Sequence, residues 1–561
     1  VASSGSRLLK QLVDLKTTHG GDAAVRKAEL LGKLGRVRLG RAAEVLALHE
    51  ALCFLRAYPD DPLVLRLVEG LLEGFDRRSD LRRHRDALED TGIAGTTIHY
   101  RFYWEMARWL ARRWPRQMGI DWEDWEDSEK LERLLNLLVA YYETPALDTE
   151  DLPIREWIER LKGGGETDAS FLVRRFDALT ADSFGKETLF EDLEVPMRIE
   201  PGPATPSRTR ARYGDDPVFF QETPLMRGRP SLLDEVRRPP RRVRAVSTRE
   251  ARKLIDVARE AMVTRSRDLD AFSYASLHDV RLVDCGDGLQ FVAYGTVPER
   301  RLMFESVYGF LTLKNGVPIG YVLCSALLRS SEVAYNVFET YRGGEAARVF
   351  GRVLAMIHQL FGSNAFAVDP YQLGYGNPEG LLSGAWWFYY KLGFRPDNPE
   401  ILRVLRGELE KMKARPRHRS SVSTLEKLAS DYVYFFLGRE RKDVMGRVDL
   451  APVSARLTRY VADRFGADRE KAGRECSREV ARLLGLRSRR GFTPGERVAW
   501  ERWSPLVLSL PGVERWSPDD KRDLARIIRA KGGRRESDFV RLFDRHRRLG
   551  RAILRVAAEE A

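Results

Sequence analysis

Between Val307 and Glu339 the chain carries three apolar runs with strand character, at 307–313, 318–328 and 332–339. Lys314, Asn315 and Gly316 separate the first two and are a hairpin signal. The third run enters Tyr341-Arg342-Gly343-Gly344, after which Ala346, Val349, Phe350, Val353, Leu354, Ile357, Leu360 and Phe361 recur at helical spacing. A short apolar run at 365–368 follows, then a loop with Pro370, Gly374, Gly376 and Asn377-Pro378. An aromatic helix is expected at 385–392, where Trp386, Phe388, Tyr389 and Leu392 sit near helical spacing. Gly393 can leave that helix with positive φ, and Pro396 prevents a return to it. The expected order is strand, turn, helix, strand, helix, strand, with something docked against the Gly393-Phe394 corner.

The flanks read differently. At the N-terminal end, apolar residues at helical spacing cover 42–58. Asp61 and Pro62 give a cap and a first helical position, and the pattern resumes over 63–75, so a helical hairpin is expected. Further helices are expected at 97–114, 128–142 and 154–161. Between 121 and 127, acidic residues alternate with Trp122 and Trp125, a composition that suits half-buried tryptophans with capping acids or a surface for a cationic ligand. Eight prolines between 200 and 244, interspersed with Gly and Arg, favour extended chain over a packed core. A helix at 248–262 is expected to open the central domain. Beyond 400, helical patterns cover 453–465, 468–484, 493–510, 517–531 and 537–558, and Thr493-Pro494-Gly495-Glu496 has the spacing of a capping box. The expected organisation is α+β and multidomain: a helical region 1–199, a Pro/Arg-rich linker 200–244, a mixed α/β domain 245–400 and a basic helical region 401–561.

Charge refines this division. The 561-residue chain has a formal net charge of +13, and residues 401–561 hold 39 Lys and Arg against 23 Asp and Glu, so the whole excess lies in the last region. Such an asymmetry suits a polyanion such as nucleic acid, an anionic membrane surface or an acidic protein, or else a set of solvated helix faces. Cys53, Cys285, Cys324 and Cys476 lack metal-ligand spacing and fit buried thiols in a reducing compartment. The eight histidines form no i,i+4 pair, so no metal is expected, and nucleotide-binding and serine-hydrolase fingerprints are absent from the sequence. No leader pattern opens the sequence and no apolar run is long enough to span a bilayer, so no transmembrane segment and a cytoplasmic location are expected.

Residues 243–397 resemble the Gcn5-related N-acyltransferase (GNAT) superfamily. Two places carry the resemblance. Residues 341–347 are similar to its Gln/Arg-x-x-Gly-x-Gly/Ala loop, with Tyr341 where Gln or Arg is usual or, in the other alignment, one loop residue missing. Asn377 and Tyr389-Tyr390-Lys391-Leu392-Gly393-Phe394 are similar to its Asn and Tyr-x-x-x-Gly-Phe elements. The resemblance implies an acyl-CoA site, with acetyl-CoA or another acyl-CoA as co-substrate, where two strands splay beside a helix N-terminus. It implies that the backbone of Val337 and Phe338 pairs with the pantetheine arm, that Arg342, Gly343, Gly344 and Ala346 face the pyrophosphate, and that Asn377 steadies the cofactor or its loop. It gives Tyr389 the role of general acid. Glu339, at the end of the third strand run, is the candidate base, directly or through water. Backbone amides at a helix N-terminus attract phosphate, whereas Glu345 brings negative charge to the same place.

Two readings of different classes follow. One is acyl transfer to an unidentified amine, borne by a small molecule or a protein. The other is a non-catalytic scaffold of the same fold whose basic tail engages a polyanion. Fold alone does not decide between them.

Overall fold

The expected strands and several others assemble into two sheets. In the computed structural model, which describes residues 4–20, 22–214, 217–226 and 228–559, the strands are β1 (Ile98–Tyr100), β2 (Met118–Ile120), β3 (Met197–Ile199), β4 (Arg242–Ala245), β5 (Ala275–Gly286), β6 (Leu289–Thr296), β7 (Ser306–Lys314), β8 (Val317–Leu327), β9 (Ser330–Val337), β10 (Ala365–Val368) and β11 (Val433–Phe436). The chain is α+β and forms two units. One comprises Val1–Leu225, Arg252–Tyr274 and Lys314–Pro318; the other comprises Met226–Ala251, Ala275–Leu313 and Ile319–Ala561.

The first unit is mainly helical. Ala42–Ala57 and Pro62–Glu73 form the expected hairpin, and the Asp61 side chain accepts the Val64 N–H at 2.9 Å with Pro62 at the first position. The region is not all-helical, however. The helix expected from 97 starts only at Trp104, and Ile98–Tyr100 is β1, which with β2 flanks β3 in an antiparallel sheet. Three-residue strands are too short to show a period in sequence. The Pro-rich stretch carries no helix or strand over 200–214 and 217–225, but it is pinned. The Arg56 guanidinium is buried and donates to the carbonyls of Thr209 (2.6 Å) and Arg208 (3.0 Å), and Ser207, Thr209 and Gln221 are buried as well. Those bonds engage both terminal nitrogens of a buried cation and fix loop backbone that has no ladder of its own.

In the second unit, eight strands lie in the order β11-β10-β9-β8-β7-β6-β5-β4. The β4–β5, β5–β6, β8–β9 and β10–β11 pairs are antiparallel and β9–β10 is parallel. The β7–β8 turn is the two-residue Asn315-Gly316 turn, with φ of +49° and +75°, in the hairpin expected there. β4, β5 and β6 were not expected. Buried polar residues, Asp279 and Arg281, interrupt the alternation in β5, and the β5–β6 register shifts there. The helix Ala346–Phe361 buries Val349, Phe350, Val353, Leu354, Ile357 and Phe361 in the core it shares with the sheet.

Residues beyond 400 belong to this second unit, so the boundary expected at 400 falls inside one body. They are not all-helical, because Val433–Phe436 supplies the edge strand β11. The strand expected after Gly393 is reduced to a single Arg395–Tyr434 bridge. The helix expected over 537–558 is two, Glu536–Arg545 and Arg547–Ala557, broken at His546, whose Nδ1 accepts the Leu549 N–H at 3.0 Å.

A buried polar network ties these helices to the sheet. Lys531 Nζ lies 2.6 Å from Glu536 Oε1 and donates to the Glu305 carbonyl at 2.9 Å, and both ionic side chains are at most 3% exposed. Arg301 donates to the carbonyls of Lys531 and Gly533, each at 2.7 Å. Tyr308 donates to Asp279 Oδ2 at 2.5 Å, which also accepts the Glu536 N–H at 2.9 Å. Burial pushes the Glu536 carboxyl up and the Lys531 ammonium down, against the attraction of each for the other. Removing one partner strands the other charge. Lys531→Ala should therefore lower unfolding free energy by about 3–5 kcal/mol, and the paired replacement Lys531→Met with Glu536→Leu should cost less than either single change. Urea titration checks this, and a double variant weaker than both singles would contradict it.

Candidate functional site

The sheet of the second unit forks between β9 and β10. They pair only through Ser330 with Ala365, Ser331 with Phe366 and Glu332 with Ala367. β9 continues to Val337, paired with β8 along its whole length, while β10 stops at Val368. The Phe338 N–H donates to the Ile319 carbonyl (3.0 Å), and the Asn364 N–H donates to the Arg329 carbonyl (2.9 Å). These two bonds set the alternation: even-numbered residues of β9 turn their backbone groups to β8, odd-numbered ones to β10. Beyond Val333, the backbone of Tyr335 and Val337 therefore faces a side that β10 no longer covers. Of the two backbone positions expected to meet a ligand, Val337 faces the opening. Phe338 does not, because its N–H is spent on β8.

Tyr389 reaches this opening from the helix Ala385–Leu392, which ends at Gly393 with φ +110°. Its ring is 3% exposed and meets Phe350 (5.4 Å) and Phe394 (5.7 Å), while its hydroxyl bonds to the backbone of Tyr335 on the open edge. Burial, and then the nearby Asp369 carboxylate, pushes that hydroxyl well up, so it stays protonated and able to donate. Trp386 and Trp387 form walls: Trp386 stacks on Tyr390 at 5.2 Å, and Trp387 Nε1 donates to Ser420 at 3.1 Å. The partner docked at this corner is thus the chain's own segment beyond 400.

The turn into the Ala346–Phe361 helix lies beside the same strand end. Gly343 has φ +90°, and a Cβ there would meet nothing within 4 Å, so the backbone is bare on that side. Ala346 opens the helix, and its carbonyl accepts the Tyr335 hydroxyl at 3.3 Å. Glu345 is buried beside Arg348 at 2.8 Å, and Arg348 also holds Asp287 at 2.5 Å, so its charge is compensated. Arg342 is exposed, bonds the Glu379 carboxylate and reaches the Val337 carbonyl at 3.4 Å. Asn377 is a helix cap: its oxygen accepts the Gly380 N–H at 3.1 Å and its amide donates to the Tyr371 carbonyl at 3.1 Å. Glu339 sits past the strand end, the exposed first residue of the 3₁₀ turn Glu339–Tyr341.

Three further residues meet at the crotch of the fork. Glu332 is the last β9 residue paired with β10, Asp369 directly follows β10, and the Tyr432 hydroxyl donates to Glu332 Oε2 at 3.2 Å. Side chains alternate along a strand, so Glu332 lies on the face opposite Tyr335, whose ring meets Phe350. The carboxylate and the Tyr389 ring thus approach the fork from opposite faces. Burial, and then the Asp369 carboxylate, pushes the Glu332 carboxyl up, and Tyr432 opposes the shift. Burial likewise raises Asp369, against the Tyr371 and Gln372 N–H groups that its side chain caps. No protein-family model, curated protein or solved structure matches the chain. Its chemistry has to be read from these side chains. Among the described residues no group of three or more His, Cys, Asp or Glu is placed to hold a metal ion, and no helix is long and apolar enough to cross a membrane.

The raised Glu332 has a defined pH signature. Its folded pKa lies above the unfolded value, so its contribution to stability is complete below the ordinary glutamate range and is lost as pH rises through the folded pKa. A carbon-13 NMR titration should give a Glu332 midpoint above the ordinary value of about 4.3. Tyr432→Phe, which removes a donor to the carboxylate, should move that midpoint further up. A midpoint at the ordinary value, or a downward shift in the variant, would contradict the assignment.

Proposed function

We propose that the second unit is an acyl-CoA-dependent N-acyltransferase, with acetyl-CoA or a longer acyl-CoA as donor and a primary amine, on a small molecule or a protein, as acceptor. The observation that carries this reading is the open edge of β9 beyond Val333, flanked by the bare Gly343 turn and the start of the Ala346–Phe361 helix. An extended pantetheine arm can add to such an edge as a strand does, through the backbone of Val337, and its diphosphate suits the glycine turn and helix N-terminus. The similarity of Asn377 and Tyr389–Phe394 to GNAT elements supports the same donor.

Acyl transfer forms a C–N bond and breaks a C–S bond, so one proton must leave the ammonium and one must reach the departing sulfur. Glu332 takes the first role in this reading, directly or through water, in place of the exposed Glu339. Its half-buried position beside Asp369 suits a base poised above ordinary glutamate. Tyr389 keeps its proton and holds it at the open edge, where it can be given to the sulfur. The amine then approaches from the Glu332 face and the leaving group from the Tyr389 face.

A scaffold of the same fold remains the second reading. The Arg342–Glu379 pair and the fully engaged Asn377 amide favour it, since both satisfy within the chain groups that the resemblance assigns to cofactor. Isothermal titration with acetyl-CoA and longer acyl-CoAs separates the two: binding at micromolar concentration is expected, and none at high micromolar concentration would leave the scaffold. Given a working acceptor, Glu332→Gln should lower kcat/KM by about 10²–10⁴ and remove the acidic limb of its pH profile. Tyr389→Phe should slow transfer with thermal unfolding unchanged. Full activity in either variant would remove that residue from its role.

A further inference from the structure

Five arginines converge on a cavity in the last part of the second unit. The helices Arg469–Leu483 and Pro494–Ser509, with the loop between them, enclose about 520 Å³ lined by Arg474, Arg478, Arg489, Arg490 and Arg497 together with Ser477, Phe492, Trp500 and Glu501. That volume lies within the range usual for small-molecule sites. No residue of the β9–β10 fork lines it. All five arginines are exposed, and none is ion-paired to an acidic side chain among the described residues.

Two of the nearby acids are engaged elsewhere. Glu479 holds Arg464 at 2.6 Å, and Glu496 holds Arg529 at 3.0 Å and caps its own helix by accepting the Thr493 N–H at 2.8 Å. Glu501 is the one carboxylate on the wall, and it lies over the opposite helix where Gly473 has no side chain: a Cβ there would come 2.7 Å from Glu501 Oε1. Like charges held this close in a concavity repel one another and focus a positive potential into it. An arrangement of this kind is relieved by a ligand dense in negative charge, and guanidinium forks match phosphate oxygens two at a time.

The aromatic residues decide between kinds of polyanion. Trp500 is fully buried with its Nε1 bonded to the Ser477 carbonyl at 3.1 Å, and Phe492 is 6% exposed with the Arg529 guanidinium over its ring at 4.8 Å. Neither offers a face on which a base could stack, and base stacking is what single-stranded nucleic acid sites use. We infer that this cavity binds a compact ligand carrying two or more closely spaced phosphate groups, recognised by its phosphates alone. Five of the tail's 39 Lys and Arg residues are thereby gathered at one pocket. The inference stands independently of acyl transfer.

Isothermal titration of the full chain with sodium tripolyphosphate tests it, with an oligothymidylate strand as the second ligand. One-to-one binding of tripolyphosphate is expected. Affinity should fall at least tenfold in Arg489→Ala/Arg490→Ala and again in Arg474→Ala/Arg478→Ala, pairs of exposed residues whose loss leaves circular dichroism and unfolding midpoint unchanged. Absence of tripolyphosphate binding would overturn the inference, as would equal binding by the variants. Binding of the oligothymidylate without tripolyphosphate would also overturn it, by assigning the arginines to a nucleic-acid surface.

Discussion

The parallel register between β9 and β10 is only three residues long, and the candidate chemistry depends on that shortness. Its cause is local. Asp369-Pro370 follows β10 directly. Proline has no N–H to give a ladder, and the Asp369 side chain accepts the Tyr371 and Gln372 N–H groups, so the chain turns into a helical turn instead of extending the strand. β9 cannot fold over to close the gap, since β8 holds it in register through eight residues. β10 is likewise held on its far side by β11. The result is an edge inside a sheet, where Tyr335 and Val337 turn their backbone to the gap: the Tyr335 backbone meets the Tyr389 hydroxyl, and the Val337 N–H faces the place an extended ligand would take.

The second unit maintains this fork at some electrostatic expense. Burying Lys531, Glu536, Arg301 and Asp279 together gains little net stability over an apolar equivalent, because desolvation offsets most of the attraction. What such a network gives is a fixed geometry: the Glu536 N–H meets Asp279, and Arg301 meets the Lys531 and Gly533 carbonyls, in only one arrangement. Here it joins the start of the Glu536–Arg545 helix to β5 and β7 and so seats the C-terminal helices against the sheet. The same region supplies β11, and β11 is preceded by Tyr432, which meets Glu332. A tail that looks like a separate basic domain by composition therefore completes both the sheet and the candidate site.

Much of this was legible in the residues. The helix Ala346–Phe361 and strand β10 lie where periodicity places them, the Asn315-Gly316 turn follows from its dipeptide, and Gly393 ends its helix in the conformation only glycine takes easily. Other elements were hidden by their own chemistry. Asp279 and Arg281 make β5 read as polar, although both are buried. β1, β2 and β3 are too short to show a period. The long helix expected at the C-terminus is broken by His546 acting as a cap, which a continuous apolar stripe does not reveal. Of the candidate site, Tyr389 was visible because its signal is local: an aromatic four residues before a helix-ending glycine. Glu332 was not, because its meaning comes from Asp369 just past the next strand and from Tyr432, 100 residues along the chain.

The openness of the β9 edge can be measured residue by residue through amide hydrogen exchange, with and without acetyl-CoA. The Phe338 amide is already bonded to Ile319 and serves as an internal reference. Exchange at Val337 that slows on adding acetyl-CoA, while exchange at Phe338 stays the same, is the result expected of a donor seated along the open edge. Val337 exchanging at the same rate in both states would contradict the fork as the acyl-CoA site.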